Sequence, residues 1–122
     1  MIKILIAILI IVALLYYLFP PITVCGNSMF PTYRDGELIL GTRAYLKSHL
    51  KVGDVVLYRP PYDKDNDGHI VIKRITMIML KDGVIFCEGD NPPETYDSRN
   101  YGWVDIDNLV CKVVNQRKRK VR

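Results

Sequence analysis

Two hydrophobic rhythms divide this chain of 122 residues. Residues 2 to 19, IKILIAILIIVALLYYLF, are apolar on every side of a helix, with Lys3 the only charge. A helix with no polar face does not belong on a wet surface. About 18 residues at ~1.5 Å each give about 27 Å, just enough to cross a bilayer. Tyr16 and Tyr17 sit near one end, where amphipathic rings favour the interface, and Pro20 with Pro21 stops the helix. A buried core helix would show one polar face. A cleavable secretory leader would want a small-x-small site, and LFPPITVCG offers no convincing one. The run therefore reads as a membrane anchor over residues 1–20.

Beyond Pro21 the rhythm shortens. ELILGTRAYL, GDVVLYRP, HIVIKRITMIML, GVIFCEG and NLVCKVV are short apolar runs rich in Val, Ile, Leu, Phe and Tyr. Gly, Pro, Asp and Asn punctuate them, in YRDGE, PPYDKDNDG, KDG and GDNPPE. This pattern predicts a mainly β, antiparallel domain over residues 21–114. KDG reads as a tight hairpin turn. GTRAYLKSHLKVGD holds at most a short helical turn.

Composition adds limits. The net charge of +4 and the pI of about 9.0 owe much to the last residues, QRKRKVR. Residues 115–122 read as a solvated basic tail able to meet anionic headgroups. No recognition motif accompanies it, so nucleic acid is not an expected partner. Three cysteines, Cys25, Cys87 and Cys111, complete no disulfide framework and show no CxxC spacing. Buried, inert thiols are expected, with a Cys87–Cys111 bridge as an alternative in an oxidising space.

Residues 63 to 74, DKDNDGHIVIKR, begin like a calcium loop. Such a loop needs a bidentate Glu at its twelfth position, and that position is Arg74, a cation. The stretch reads better as a polar turn between strands, and no metal is expected. Alternation then sets Val71, Lys73 and Ile75 on one face, and Ile70, Ile72 and Arg74 on the other. A lysine among Ile and Val has two readings. It is an edge-strand charge that discourages aggregation, or a desolvated amine able to act as a base. Ser28, in GNSMFPT, is a hydroxyl such a base could activate.

Four short stretches in one order carry a resemblance. GNSMFPT, GDVVLY, IKRI and EGDNPPETYDSRNYGWV resemble the boxes of type I signal peptidases, membrane-bound serine proteases that remove signal peptides. With the apolar run included, the match extends from residue 1 to about 104. The resemblance implies Ser28 as nucleophile and Lys73 as general base, with no cofactor. It implies a supporting hydroxyl at Thr95 that helps hold the lysine. Arg74, Asp97 and Arg99 fall at positions that support the site. The Ser28 N–H is the implied oxyanion donor. Some relatives add a hydroxyl two residues earlier, where this chain has Gly26. Eukaryotic-type relatives use His directly before Arg. Here Lys73 holds that place and His69 lies four residues earlier, so His69 reads as structural or exposed.

The family fold is a mainly β catalytic domain, in agreement with the strand pattern. Only KDG and two strands separate IKRI from GDN, as in a minimal Gram-positive form with one anchor. Preproteins with Ala-x-Ala before the cut are the implied partners, bound by strand addition. Met29, Ile22 and Val24 are candidates for the pocket lining. The expected protein is a monomer in the cell membrane, crossing once. Lys3 stays cytoplasmic, and the β-domain faces outward. Two alternatives stay open: another membrane-anchored Ser-Lys processing protease, such as one maturing conjugative pilin, and a non-catalytic anchored β-module. Self-cleaving repressors share the dyad, but they need a DNA-binding helical domain that this sequence lacks.

Overall fold

The structure, a computed structural model, describes residues 1–45, 47–61 and 69–120. The DKDNDG turn lies outside the described residues. The chain opens with helix α1, Ile2–Leu18, and none of its residues is buried. Phe19 leaves helical geometry at φ −129° and ψ 69°, as a residue before proline tends to. The helix is therefore 17 residues long, about 26 Å at ~1.5 Å per residue. Among the described residues no helix is long and apolar enough to cross a membrane. That corrects the length expected from the apolar run, which had counted Phe19.

Among the described residues seven strands follow, in one antiparallel sheet. They are β1 Pro21–Thr23, β2 Leu38–Thr42, β3 Val55–Tyr58, β4 Val71–Met79, β5 Val84–Glu88, β6 Val104–Asp105 and β7 Leu109–Val113. Their spatial order is β1-β2-β7-β3-β4-β5-β6. The expected β fold class is thus observed. A one-turn helix, α2 Ser98–Tyr101, precedes β6. The KDG hairpin is present: residues 80–82 form a 3₁₀ turn and Gly83 takes a left-handed φ of 66°, a conformation glycine adopts without steric cost.

Both faces of the sheet are covered at its centre, so every residue of β3 is buried. Val55, Leu57, Ile72, Cys111 and Val113 pack with Met29 and Tyr33 on one face. Val56, Tyr58, Ile75, Ile85 and Cys87 pack with Val104 on the other. Cys87 and Cys111 therefore belong to opposite faces, and all three cysteines are free. Cys25 is exposed, contrary to the expectation of a buried thiol, because it lies beyond the end of β1. The basic segment also differs from a solvated tail. Residues 115–120 return to the sheet: Gln116 Nε2 donates to the Val55 carbonyl at 2.9 Å, and Lys120 N–H donates to Thr32 Oγ1 at 3.0 Å.

Candidate active site

β4 carries two cations at consecutive positions, and the pleat sends them to opposite faces. Both are nearly buried, Lys73 at 4% and Arg74 at 8% exposure. Arg74 is fully partnered. Its Nε and one terminal nitrogen donate to the two oxygens of Asp90 at 2.9 and 2.8 Å, and the other terminal nitrogen donates to the Gly53 carbonyl at 2.8 Å. Planar, bidentate pairing of this kind fixes geometry as well as charge.

Lys73 has no ion-pair partner among the described residues. Its Nζ lies 3.0 Å from Ser28 Oγ, within hydrogen-bonding distance. Burial disfavours its charged form and pulls the amine down to about 8, against the opposing influence of Asp97 and Cys87. Near neutral pH a usable fraction of this lysine is an uncharged base, roughly a tenth at pH 7.

Ser28 is held by a loop whose base is closed next to β1. Val24 N–H donates to the Glu37 carbonyl at 2.8 Å, and Gly36 N–H returns a bond to Val24 at 2.7 Å. Gly26 sits at φ +87° with its N–H on Asp35 Oδ1 at 2.8 Å. From the far side the triplet Gly89, Asp90 and Asn91 grips the loop. Asn91 N–H donates to the Ser28 carbonyl at 2.9 Å, and its side-chain amide donates to the Asn27 carbonyl at 2.9 Å. A Cβ at Gly89 would come within 2.3 Å of Thr95 Oγ1 and 2.6 Å of the Ser28 carbonyl oxygen. Only glycine fits between them.

Asp97 is the polar hub behind this triplet. It accepts from Gly89 N–H at 2.8 Å and Thr95 Oγ1 at 3.0 Å. It also accepts from Arg99 N–H at 3.0 Å and from the Arg99 guanidinium at 3.0 and 2.7 Å. Burial pushes this carboxyl up, but the bonds from Arg99, Gly89 and Thr95 outweigh it and hold the group at about 2. Arg99 also reaches Glu88 at 3.3 Å, and Ser98 Oγ accepts from Cys87 N–H at 2.9 Å.

A groove of about 310 Å³ runs up to this site. Ile22, Val24, Cys25, Leu57, Ile72 and Lys73 line it, with His69 at its rim. Its two sides are open strand edges. Among the described residues β1 pairs only with β2. β4 pairs with β3 from Val71 onward but with β5 only from Arg74, so among the described residues positions 71–73 keep one free edge.

Two site expectations need correction. Met29 does not line the groove. It is fully buried, and its sulfur accepts from Asp90 N–H at 3.4 Å. The side chain after Ser28 points into the core, where it pins the loop. Thr95 makes no hydrogen bond to the lysine among the described residues, and its hydroxyl donates to Asp97. Asp90 and Asn91 are the residues whose roles the sequence left unassigned. They are visible there as part of the GDN box, but nothing in a sequence shows that one neutralises Arg74 while the other clamps Ser28. Among the described residues no cluster of His, Cys, Asp or Glu is arranged to hold a metal ion.

Comparison with known proteins bears on the same arrangement. Residues 1–79 match the family model described as "Signal peptidase, peptidase S26". The chain belongs to the signal peptidase family. It is 31% identical over 99 residues to "Signal peptidase I T" of Bacillus subtilis, covering 80% of this chain and 51% of that protein. It is 30% identical over 116 residues to "Mitochondrial inner membrane protease subunit 1" of Schizosaccharomyces pombe, covering 80% of this chain and 73% of that one. The chain thus spans about half the length of the Bacillus signal peptidase. The Ser28 loop, the groove and β4 all fall within the 79 matched residues. The Gly89–Asn91 triplet and Asp97 lie beyond them.

Proposed function

We propose that this signal peptidase family member is a membrane-bound serine endopeptidase that removes N-terminal signal peptides from exported preproteins. One observation carries the reading: a buried lysine amine, held near 8 by desolvation, lies 3.0 Å from the hydroxyl of Ser28. A serine hydroxyl becomes a useful nucleophile when a positioned base takes its proton. The neutral amine of Lys73 is that base.

In the first step Ser28 passes its proton to Lys73 Nζ while Oγ attacks the scissile carbonyl carbon. The tetrahedral intermediate collapses, the peptide C–N bond breaks, and the lysine ammonium returns the proton to the leaving amine. An ester on Ser28 remains. Lys73 then takes a proton from water, the hydroxide adds to the ester, and the proton goes back to Ser28 as the acyl product leaves. The Ser28 N–H has no acceptor among the described residues and is available to the developing oxyanion. Gly26, two residues earlier, has no side chain to add a second donor.

The groove suits an extended peptide. A substrate strand laid between β1 and residues 71–73 would pair with both open edges, the mode of strand addition. The apolar lining by Ile22, Val24, Leu57 and Ile72 suits small side chains before the cut, and Ala-x-Ala is the expected pattern. Met29 has no part in that lining.

The helix α1 is exposed and apolar all round. Surface of that kind is stable when lipid covers it, and we place α1 in the cell membrane with Lys3 cytoplasmic and the β-domain outside. A hydrocarbon segment a few Å short is matched by local thinning of the bilayer and by flanking anchors such as Tyr16 and Tyr17. The test is cleavage of an Ala-x-Ala preprotein in detergent by wild type, Ser28→Ala and Lys73→Ala. Cleavage after that site by wild type alone supports the reading. Cleavage by Ser28→Ala, or none by wild type on several preproteins, overturns it. A pilin-type substrate cut in preference would move the protein to the related processing proteases.

A further inference from the structure

We infer that Gln116 and Arg117 are positioning residues that set the distance between Ser28 and Lys73. The inference rests on the peptidase reading above and assigns work to a segment that its sequence marks only as basic. Two neighbouring side chains tie together the two elements that carry the dyad. Gln116 binds β3 as a further strand residue would. Its Oε1 accepts from Val55 N–H at 2.7 Å and its Nε2 donates to the Val55 carbonyl at 2.9 Å. β3 is in turn the strand against which β4 is registered, with Val56 opposite Lys73. Gln116 therefore grips the frame that presents the lysine.

Arg117 grips the loop that presents the serine. Its guanidinium pairs with Glu37 Oε2 at 2.5 Å and donates to the Thr32 carbonyl at 3.1 Å. It also lies over the Tyr33 ring, 4.8 Å from the centroid. Its backbone N–H donates to the Tyr33 hydroxyl at 3.2 Å, and that hydroxyl donates to the Asn115 carbonyl at 3.1 Å. Glu37 is the residue whose carbonyl closes the loop base on Val24, and Tyr33 N–H is bonded to the Met29 carbonyl at 2.9 Å. Each contact of Arg117 is thus one short link from the backbone around Ser28. Thr32 and Tyr33 are buried, so the strap clamps the inner end of the loop and leaves the groove side clear.

Between them, adjacent residues connect the lysine's frame to the serine's loop without touching substrate. Removing the strap should loosen the Ser28–Lys73 contact while leaving the groove, and hence substrate binding, largely in place. Small losses of alignment between reacting groups cost rate steeply, on the order of 10²-fold for ~1 Å.

The experiment compares the full chain with Arg117→Ala, Arg117→Glu, Glu37→Arg and the double variant R117E/E37R. The expected result for Arg117→Ala is kcat down by roughly 10- to 100-fold with KM within about threefold, measured on folded enzyme. The reversed pair should recover about tenfold over either single reversal, as coupled residues do. Hydrogen exchange, which needs no activity, forms the second arm. In Arg117→Ala the amides of residues 27–37 should lose protection while those of β4 keep theirs. Unchanged exchange in residues 27–37 would overturn the inference whether or not the protein cleaves anything. So would a kcat loss that the reversed pair leaves unrepaired. Changed exchange in Arg117→Ala, together with a wild type that cuts no preprotein, would instead retain the strap and remove the peptidase reading.

Discussion

Lys73 and Arg74 are neighbours on one strand, carry the same formal charge and are almost equally buried, yet the protein treats them in opposite ways. On one face of the sheet Arg74 meets a carboxylate with two parallel hydrogen bonds and a carbonyl with a third. Its charge is kept and compensated. On the other face Lys73 meets a hydroxyl and has no ion-pair partner among the described residues. Its charge is made costly. The difference shows that burial alone does not leave a cation uncompensated. Burial without a matching carboxylate does, and the nearby Asp97 is kept from that part because Arg99 and backbone N–H groups occupy it.

The sharpest break of this comparison is on the Lys73 face. Ser28→Ala, Lys73→Ala and Lys73→Arg should each lower kcat/KM by on the order of 10³-fold or more, because the members of the proposed dyad act as a unit. Lys73→Arg belongs in this set because a guanidinium stays protonated. Cleavage assays in detergent check all three, and retained activity in Lys73→Arg would remove the general-base role.

Stability separates the two faces in the other direction. Asp90→Ala leaves the Arg74 charge buried and unpaired, and should cost about 3–5 kcal/mol in urea unfolding. Lys73→Met removes a charge that burial already penalises, and should leave stability equal or higher at pH 7. The pH dependence supplies the sign. The folded lysine has its pKa lowered from 10.5 to about 8. Between those values the unfolded chain holds a proton that the folded chain has shed, so this group's contribution to unfolding free energy rises with pH. Below about 8 both states are protonated and the penalty is fully present. Urea midpoints from pH 7 to 10.5 should therefore climb in wild type relative to Lys73→Met. Parallel curves would contradict the shift.

Asp97→Asn tests the hub between the faces. Losing the carboxylate removes an influence that raises the lysine's pKa, so the acid limb of the rate profile should move to lower pH. The plateau should drop by about tenfold, since the bonds to Gly89, Thr95 and Arg99 position the loop behind Ser28. A limb that moves to higher pH would contradict the assignment of Asp97. The smallest expected effect is at His69. His69→Ala should change kcat/KM by less than about threefold, and an effect as large as that of Lys73→Ala would transfer the base role to the histidine.

The sequence was most informative where periodicity and punctuation coincide. Strand alternation set Lys73 and Arg74 on opposite faces, and Val71, Ile72 and Ile75 fall on the two core clusters as that alternation requires. The KDG turn was legible because only glycine takes its left-handed end without strain. Three features were not legible, each for a physical reason. Phe19 is apolar enough to extend a hydropathy run, but Pro20 takes it out of the helix. Met29 follows Ser28 and so looked like a pocket residue. Which way it points depends on the loop's closure at Val24 and Glu37, a contact across the loop. The basic residues after Val114 looked solvated because composition carries no information about Thr32, Tyr33 and Glu37, which lie some 80 positions away in sequence.

The pH profile of kcat/KM tests the central claim most directly. Wild-type cleavage of an Ala-x-Ala preprotein would be followed from pH 6 to 10, with Lys73→Ala alongside. The expected result is a unit-slope rise that levels off near pH 8, the value at which the Lys73 amine becomes neutral, and no measurable rise in the variant. A flat profile down to pH 6, or the same limb in Lys73→Ala, would show that another group supplies the base.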